Sequence, residues 1–342
     1  MPEIRQDITT EEWVIMNEER AKRPHDFVSS KDKKEEPLAH FSESCPFCPG
    51  NEARTPEEVF SLWNKKTGKW QVRVFENRYP ALFPRGNIGR RKEGELFVSM
   101  DGLGVHEVVV ETPLHNKVMA RMEDYEVEEV IRAYKERYTS LINLPFVHFV
   151  LIFKNHGATA GTSLEHPHSQ IIATPLVPRS VRMKCEVATH YHDDTGRCLY
   201  LDIINEEVSI AKRVILQTDN FVTLHPFASH SPFETWIMPK RNEASFGNIT
   251  DEEISELATV LRKTLFQLYK GLNNPDFNFI INSVPKGDEE NGYYLWHLQV
   301  IPRLTNRAGF EIGSGIHINT VIPEETASFL RTLKDQSVQN IG

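Results

Sequence analysis

His166-Pro167-His168-Ser169-Gln170, leading into Ile171-Ile172-Ala173, holds the residue types of a group-transfer site. Side chains of an extended strand alternate between faces, so His166, His168 and Gln170 are expected to point the same way in a row. Two imidazoles and a neutral amide make a poor apolar core. They suit a site that handles phosphate: one imidazole acts as nucleophile, the amide donates a hydrogen bond to an oxygen, and the second imidazole is held elsewhere. The plainer alternative is a strand whose histidines face solvent. Pro167 lacks an N–H, which predicts an edge strand or one beside an irregularity.

Cys45-Pro46-Phe47-Cys48-Pro49-Gly50 is a C-x-x-C in a tight turn, a spacing that lets two thiolates converge on one zinc ion. A redox pair is the competing reading, but Pro49-Gly50 blocks the helix that would lower a thiol pKa there. A structural site needs two further ligands, and His166 and His115 are the ones favoured here. His115, in Thr112-Pro113-Leu114-His115, could equally be a solvated loop residue. With His166 on the metal, His168 is the imidazole left for chemistry. A backbone carbonyl accepting from its Nδ1–H would leave Nε2 to attack phosphorus and form a phosphoramidate. Gln170 and Ser163 could steady a phosphate oxygen without adding charge. Gly157-Ala158-Thr159-Ala160-Gly161-Thr162-Ser163 could offer backbone N–H groups to phosphate or be a plain connector. Arg20-Ala21-Lys22-Arg23-Pro24 could grip phosphate or stay in solvent.

The elements that must carry these residues recur in one order. Glu95–Met100 and His106–Glu111 read as strands joined by an Asp101-Gly102 hairpin turn. Glu123 to Leu144 reads as a helix with apolar residues at Val127, Val130, Ile131, Tyr134, Tyr138 and Leu141, and strands follow at His148–Lys154 and through His168–Thr174. The later part repeats this: strands at Phe221–His225 and Phe233–Met238, a helix from a Thr250/Glu253 capping box to about Leu272, then strands at Phe277–Val284 and Trp296–Pro302. Its last strand carries His297-Leu298-Gln299-Val300-Ile301, which aligns with His168-Ser169-Gln170-Ile171-Ile172. The repetition points to an internal duplication. Antiparallel sheets with helices on one face, an α+β arrangement, fit it best. Residues 28–44, 189–198 and 284–292 read as polar loops.

Bulk properties narrow the function classes. With 39 Lys and Arg against 48 Asp and Glu the chain carries a net charge of −9, which opposes non-specific nucleic-acid binding. No apolar run reaches the roughly 18 residues of a membrane span, and Met1-Pro2-Glu3-Ile4-Arg5 lacks a signal-peptide core, so a cytoplasmic protein is expected. Four cysteines in 342 residues, Cys45, Cys48, Cys185 and Cys198, are too few for a disulfide scaffold.

Together the motifs resemble the galactose-1-phosphate uridylyltransferase family, the two-halved branch of the histidine-triad superfamily. The resemblance rests on Glu12-Trp13-Val14-Ile15 with Arg20-Ala21-Lys22-Arg23-Pro24, on Cys45-Pro46-Phe47-Cys48, on Glu76-Asn77-Arg78-Tyr79-Pro80-Ala81-Leu82, on Lys154-Asn155 with Gly161, and on the pentapeptide at His166. It implies two histidine-triad-like halves, here divided as residues 1–178 and 179–342. It also implies a double displacement in which His168 takes a uridylyl group from UDP-glucose, releases glucose-1-phosphate and passes the group to galactose-1-phosphate. The family's zinc ligands fall on Cys45, Cys48, His115 and His166, one structural site per chain. Its substrate contacts fall on Arg20, Arg23, Asn77, Asn155, Gly161, Ser163 and Gln170. A homodimer with shared active sites is implied as well.

Two departures bear on this. Ala308-Gly309-Phe310-Glu311-Ile312-Gly313-Ser314-Gly315 looks more like a plant relative acting on ADP-glucose than like the galactose enzymes. Gly315 stands near the place of a sugar-holding glutamate, which leaves Phe310 and Glu311 as the residues expected at the sugar. The plant-like branch can carry a second zinc site, but Leu201 and Leu295 occupy two ligand positions, so its loss is expected. His297 and Gln299 either shape the sugar or phosphate end or are remnants of duplication. An adenylyl-transferring relative, such as an ADP-glucose or dinucleotide phosphorylase, is the alternative function. A zinc-containing nucleotide-binding protein without turnover is a weaker one.

Overall fold

Strands form where β-branched and aromatic residues cluster, as in Val105-His106-Glu107-Val108-Val109-Val110 and Phe277-Asn278-Phe279-Ile280-Ile281-Asn282. The computed structural model describes residues 1–17 and 39–333. In chain order its elements are β1 (Glu3–Gln6), β2 (Trp13–Met16), β3 (Glu58–Asn64), β4 (Lys69–Glu76), β5 (Arg91–Glu93), β6 (Phe97–Ser99), β7 (Val105–Val110), α1 (Asp124–Ile142), β8 (Phe149–His156), β9 (His168–Thr174), α2 (Arg179–Thr195), α3 (Leu199–Ile210), β10 (Val214–Gln217), β11 (Phe221–Leu224), β12 (Thr235–Pro239), α4 (Asp251–Gly271), β13 (Phe277–Asn282), β14 (His297–Pro302), α5 (Gly309–Ser314), β15 (His317–Asn319) and α6 (Pro323–Thr332).

Ten strands make one antiparallel sheet in the order β10-β11-β12-β14-β13-β8-β9-β7-β4-β3. Read inward from its two edges, the order is the same: β10 mirrors β3, β11 mirrors β4, β12 mirrors β7, β14 mirrors β9, and β13 meets β8 at the centre. In sequence each set is interrupted by one long helix, α1 or α4. The architecture is α+β and duplicated, as the recurring element order suggested.

One face of the sheet is covered by α1 and α4, which pack on each other and on Ile152, Ile171, Phe279 and Val300. All six apolar residues singled out in α1, from Val127 to Leu141, are buried, each gaining about 1.5–3 kcal/mol of apolar burial. Capping boxes start both helices: Glu123 with Glu126, and Thr250 with Glu253. The opposite face has two covers. Over β11, β12 and β14, α2 and α3 contribute Ala188, Leu199, Tyr200 and Ile204 to a cluster with Leu224, Trp236, Met238 and Leu295. Over β4, β7 and β9, the Cys45–Cys48 turn packs with Phe47, Trp70, Phe75, Val108 and Val110.

Four expectations are corrected. The Asp101-Gly102 hairpin does not form: β6 pairs with β5 around Gly94, at φ 66°, while β7 joins the main sheet beside β4 and β9. A left-handed glycine is the stronger turn signal of the two. Residues 189–195 continue α2, whose amphipathic pattern buries Cys185 and Ala188; only the stop at Gly196 is loop-like. Helices cover both faces rather than one. Finally, β9 is interior, not an edge. Pro167 escapes the ladder because it precedes the strand, and its carbonyl accepts from Glu111 N at 3.2 Å.

Candidate functional site

The alternation of β9 puts His168 and Gln170 on the face opposite α1 and α4, with Ser169 and Ile171 turned toward those helices. His166 lies just before the strand. Its Nε2 donates to the carbonyl of Thr112 at 2.8 Å, which fixes the tautomer and leaves the Nδ1 lone pair facing the thiols. Burial pushes the His166 pKa down to about 4, so the ring is neutral. Nδ1 lies 3.7 Å from Cys45 Sγ and 3.6 Å from Cys48 Sγ, and His115 Nδ1 lies 3.5 Å from Cys48 Sγ. Four tetrahedral ligands on zinc, at about 2.3 Å for sulfur and 2.0–2.1 Å for nitrogen, would stand about 3.4–3.8 Å apart. Cys45, Cys48, His115 and His166 are all buried, with their ligand atoms within 4.8 Å of one another. The donor set therefore fits a structural metal ion. Such an ion would tie the Cys45–Cys48 turn and the His115 loop to the start of β9, supplying rigidity and no reacting group.

His168 is set differently. Its Nδ1 donates to the carbonyl of His166 at 2.8 Å, so Nε2 carries the lone pair. Burial lowers its pKa below the ordinary imidazole value, helped by the Lys154 ammonium, which favours the neutral nucleophilic form. Phe47 packs edge-on against the ring, with centroids 5.3 Å apart. Behind the strand lies a buried ionic network that the sequence reading missed. Lys154 Nζ donates to Glu111 Oε2 at 2.7 Å and to the His168 carbonyl at 3.1 Å, while Ser169 Oγ and Tyr134 Oη close on Glu111 Oε1. Removing one partner of such a pair strands a buried charge, which costs about 3–5 kcal/mol.

Two amides flank His168. Asn155, on β8, lies in line with His168, two residues along from the Phe153–Gln170 pair. Gln170 contacts His106 on β7 at 2.7 Å. The loop from Gly157 to Gly161 bends over the end of β8 at φ 84° and 90°, and a Cβ on Gly157 would lie 1.9 Å from Asp276 Oδ1. Asp276 accepts from Thr159 N at 2.7 Å and Oγ1 at 2.6 Å, which pins this loop. Ser163 is exposed on the segment that follows. Asn77 follows β4 with its Oδ1 accepting from Tyr79 N at 2.9 Å, and its Nδ2 lies 3.2 Å from His106 Nε2.

The remaining expected residues divide into three groups. Arg20 and Arg23 lie outside the described residues. His297 and Gln299 share the His168 face, and Gln299 stands in the cross-sheet row Gln170–Phe153–Ile280–Gln299, three strand spacings or about 14 Å from Gln170. His297 is fully buried between Tyr200 and Trp236, with centroids at 5.2 and 5.1 Å. Phe310 is exposed on α5, and Glu311 spends its two carboxylate oxygens on Ala308 N at 3.0 Å and Ile318 N at 3.2 Å. Cys198 and Leu295 both sit in the apolar cluster beneath α3. A second group, Glu12, His230 and His317, also converges within 4.8 Å. Its imidazoles stack face to face, 4.4 Å apart and 17° from parallel, so their lone pairs do not point at one ion.

Fold and site define a two-halved α+β protein of nucleotidyltransferase type. The chain belongs to the galactose-1-phosphate uridyl transferase family, whose N-terminal domain model matches residues 1–178 and whose C-terminal domain model matches residues 184–339. It is 35% identical over 334 residues to ADP-glucose phosphorylase of Arabidopsis thaliana, covering 96% of this chain and 92% of that one. It is 30% identical over 340 residues to galactose-1-phosphate uridylyltransferase of Thermotoga maritima, covering 97% and 98%. Among solved structures, ADP-glucose phosphorylase from Arabidopsis thaliana with bound ADP-glucose superposes with a TM-score of 0.82 at 32% identity, over 98% of this chain and 99% of that one. Family members act on nucleotide sugars and sugar phosphates. No helix among the described residues is long and apolar enough to cross a membrane.

Proposed function

We propose that the protein transfers a nucleotidyl group from a nucleoside-diphosphate hexose through a covalent intermediate on His168. The observation that carries this is the 2.8 Å bond from His168 Nδ1 to the His166 carbonyl, which leaves a neutral Nε2 as the nucleophile. Nε2 attacks the α-phosphorus, an N–P bond forms, and the P–O bond to the hexose-1-phosphate breaks. The imidazole then carries a positive charge, which the carbonyl on Nδ1–H stabilises. In the second step an acceptor oxygen attacks the same phosphorus and the N–P bond breaks, returning the neutral ring. Asn155, Gly161, Ser163 and Gln170 are assigned to the phosphate oxygens, and Asn77 to the nucleoside end. Arg20 and Arg23 are assigned to phosphate from their sequence alone.

An adenylyl donor, ADP-glucose, with inorganic phosphate as acceptor is the reading favoured here. The Arabidopsis ADP-glucose phosphorylase supports it through its higher identity, 35% against 30% for the Thermotoga enzyme, and the segment from Ala308 to Gly315 supports it from the sequence. UDP-glucose with galactose-1-phosphate as acceptor is the second reading, supported by the family description and the Thermotoga relative. Exposed Phe310 and Ile312, at 51% and 72%, make an apolar tip on α5 that supports a homodimer with shared sites; light scattering of the purified chain tests it. We retain residues 1–178 and 179–342 as the two halves, zinc as the metal of the Cys45 cluster, and a cytoplasmic location.

Labelling decides between donors. ADP-glucose and UDP-glucose, each labelled on the α-phosphate, are mixed with the protein and quenched in base, where phosphoramidates persist. Label retained from ADP-glucose alone supports the favoured reading, and label from UDP-glucose alone supports the second. Label that survives His168→Ala overturns both.

A further inference from the structure

The amides of Gln170 and Asn155 can each offer an N–H or a C=O to a phosphoryl group, and only the N–H is useful beside a phosphate oxygen. Neither orientation is left to chance. The backbone N–H of Ala81 can only donate, and it lies 3.1 Å from His106 Nδ1. Nδ1 must therefore hold the lone pair, and Nε2 of the neutral ring must carry the proton. Asn77 Nδ2, a donor 3.2 Å from the same Nε2, forms no hydrogen bond with this tautomer, and the shorter Gln170 contact is the one Nε2 satisfies. Burial lowers the His106 pKa, which keeps the ring in that state. The Gln170 atom 2.7 Å from Nε2 is then the carbonyl Oε1, and the Gln170 N–H₂ is turned toward the site.

Asn155 is fixed by the same logic from the other side. The backbone carbonyl of Ala160 can only accept, and it lies 2.9 Å from the Asn278 side chain. The atom of Asn278 there must be Nδ2, and the Asn155 atom 2.7 Å away must be Oδ1. Asn155 Nδ2 is turned toward Gly161, 3.9 Å from where a Cβ on that glycine would stand. His106 comes from β7 and Asn278 from β13, the strand of the second half that pairs with β8.

The second half supplies an internal control. By the sheet registers, Glu234 stands in the second half where His106 stands in the first. Glu234 is anchored as an acceptor by His230 N at 2.7 Å and Trp236 Nε1 at 3.0 Å. Gln299, the counterpart of Gln170, accordingly spends its Nε2 on Glu234 Oε1 at 2.7 Å. One scaffold thus holds the same amide in opposite senses, according to whether its neighbour donates or accepts.

We propose that His106 and Asn278 are positioning residues that lock the Gln170 and Asn155 amides with their N–H groups toward the phosphoryl group at His168. This deepens the nucleotidyl-transfer reading and rests on it for the identity of the anion. The test is the single-turnover rate of labelling by α-phosphate-labelled ADP-glucose and UDP-glucose, with thermal unfolding run alongside. His106→Glu places an acceptor against Gln170, as in the second half, and is expected to slow labelling about as much as Gln170→Ala, on the order of 10²-fold. His106→Gln can still donate and is expected to recover most of the rate. In a Gln170→Ala background the two His106 variants should label equally. Asn278→Asp should behave likewise and lose its effect in an Asn155→Ala background.

A His106→Glu deficit that persists undiminished without Gln170 would overturn the proposal, as would equal rates for His106→Glu and His106→Gln in the wild-type background. Nitrogen-15 spectra of the resting protein give a second readout. They should show His106 protonated on Nε2 and close to a side-chain carbonyl, not an amide N–H₂; protonation on Nδ1 would refute the lock. If the wild type takes no label from either donor, the reading of function fails while these spectra still decide the positioning claim.

Discussion

The two ends of the central sheet share one plan and differ in what faces the ligand side. In the first half His168 meets the carbonyl of His166; in the second, His297 meets the carbonyl of Leu295 at 3.0 Å, with the same tautomer. His168 retains 7% exposure beneath a short Cys-rich turn, whereas His297 has none, walled in by Tyr200, Trp236 and Tyr294. Its Nε2 is a buried atom with no hydrogen-bond partner, and burial drives its pKa to about 3. The back of the sheet differs too. Lys154 and Ser169 of the first half correspond in register to Ile281 and Leu298 of the second, so the ionic network behind His168 is replaced by hydrocarbon behind His297. A buried charge pair is costly relative to apolar packing. Placing this pair directly behind the nucleophile, where the second half has hydrocarbon, ties it to holding β9 and the His168 carbonyl in place.

The comparison can be broken most severely at the two histidines. His168→Ala is expected to reduce nucleotidyl transfer by roughly 10⁵–10⁶-fold, the scale seen when a covalent nucleophile is lost, with little change in melting temperature. His297→Ala should leave the labelling rate nearly intact and cost about 3 kcal/mol of stability by opening a cavity, read by denaturant unfolding. Equal loss of labelling in both variants would end the distinction between a working and a closed half.

Among the described residues, a set of four buried Cys and His donors that fits a structural metal converges only in the first half. Cys45→Ser or chelation should remove bound zinc, measured by elemental analysis, and destabilise the first half by several kcal/mol, on the order expected when folding and metal binding are coupled. Any loss of labelling should follow unfolding and not precede it.

The ionic network sharpens the contrast further. Lys154→Met strands Glu111 and should cost about 3–5 kcal/mol, while Lys154→Met with Glu111→Leu should regain most of that stability. Labelling should stay depressed in the double variant, because the His168 carbonyl has lost its Nζ donor. Full recovery of the labelling rate would show that the network serves stability alone.

The smallest effect is in pH dependence. His225 and His297 have folded pKa values of about 3, below the unfolded imidazole value of 6.5. Between those limits the unfolded chain binds the extra protons, so stability is fully present above pH 6.5 and falls with acid. The slope is about 1.4 kcal/mol per pH unit for each such histidine. His297→Gln should remove one proton from that slope, measured by unfolding at pH 4–6; an unchanged slope would show that His297 titrates normally.

Much of this was legible in the sequence because the relevant physics is local. The alternation of His166 to Gln170, the C-x-x-C turn, the 3.6-residue periods of α1 and α4, and the Thr250 capping box each depend on neighbours in the chain. The misses depend on distant partners. His106 in a valine run and Asn278 in Phe-Asn-Phe both alternate onto the ligand face, a signal that was present but means little until β7 and β13 are placed beside β9 and β8. The Glu111–Lys154–Ser169–Tyr134 network joins four elements, and β15 pairs in parallel with β2 some 300 residues away. The β5–β6 hairpin was misread because Gly94 and Asp101-Gly102 compete as turn signals, and only the pairing decides between them.

Peptide mapping by mass spectrometry after a single turnover with the nucleotide sugar and a basic quench tests the central claim most directly. One nucleotidyl group per chain is expected, on the peptide containing His168 and on Nε2 of that ring. Product formed at full rate with no adduct, or an adduct on any other residue, would contradict it.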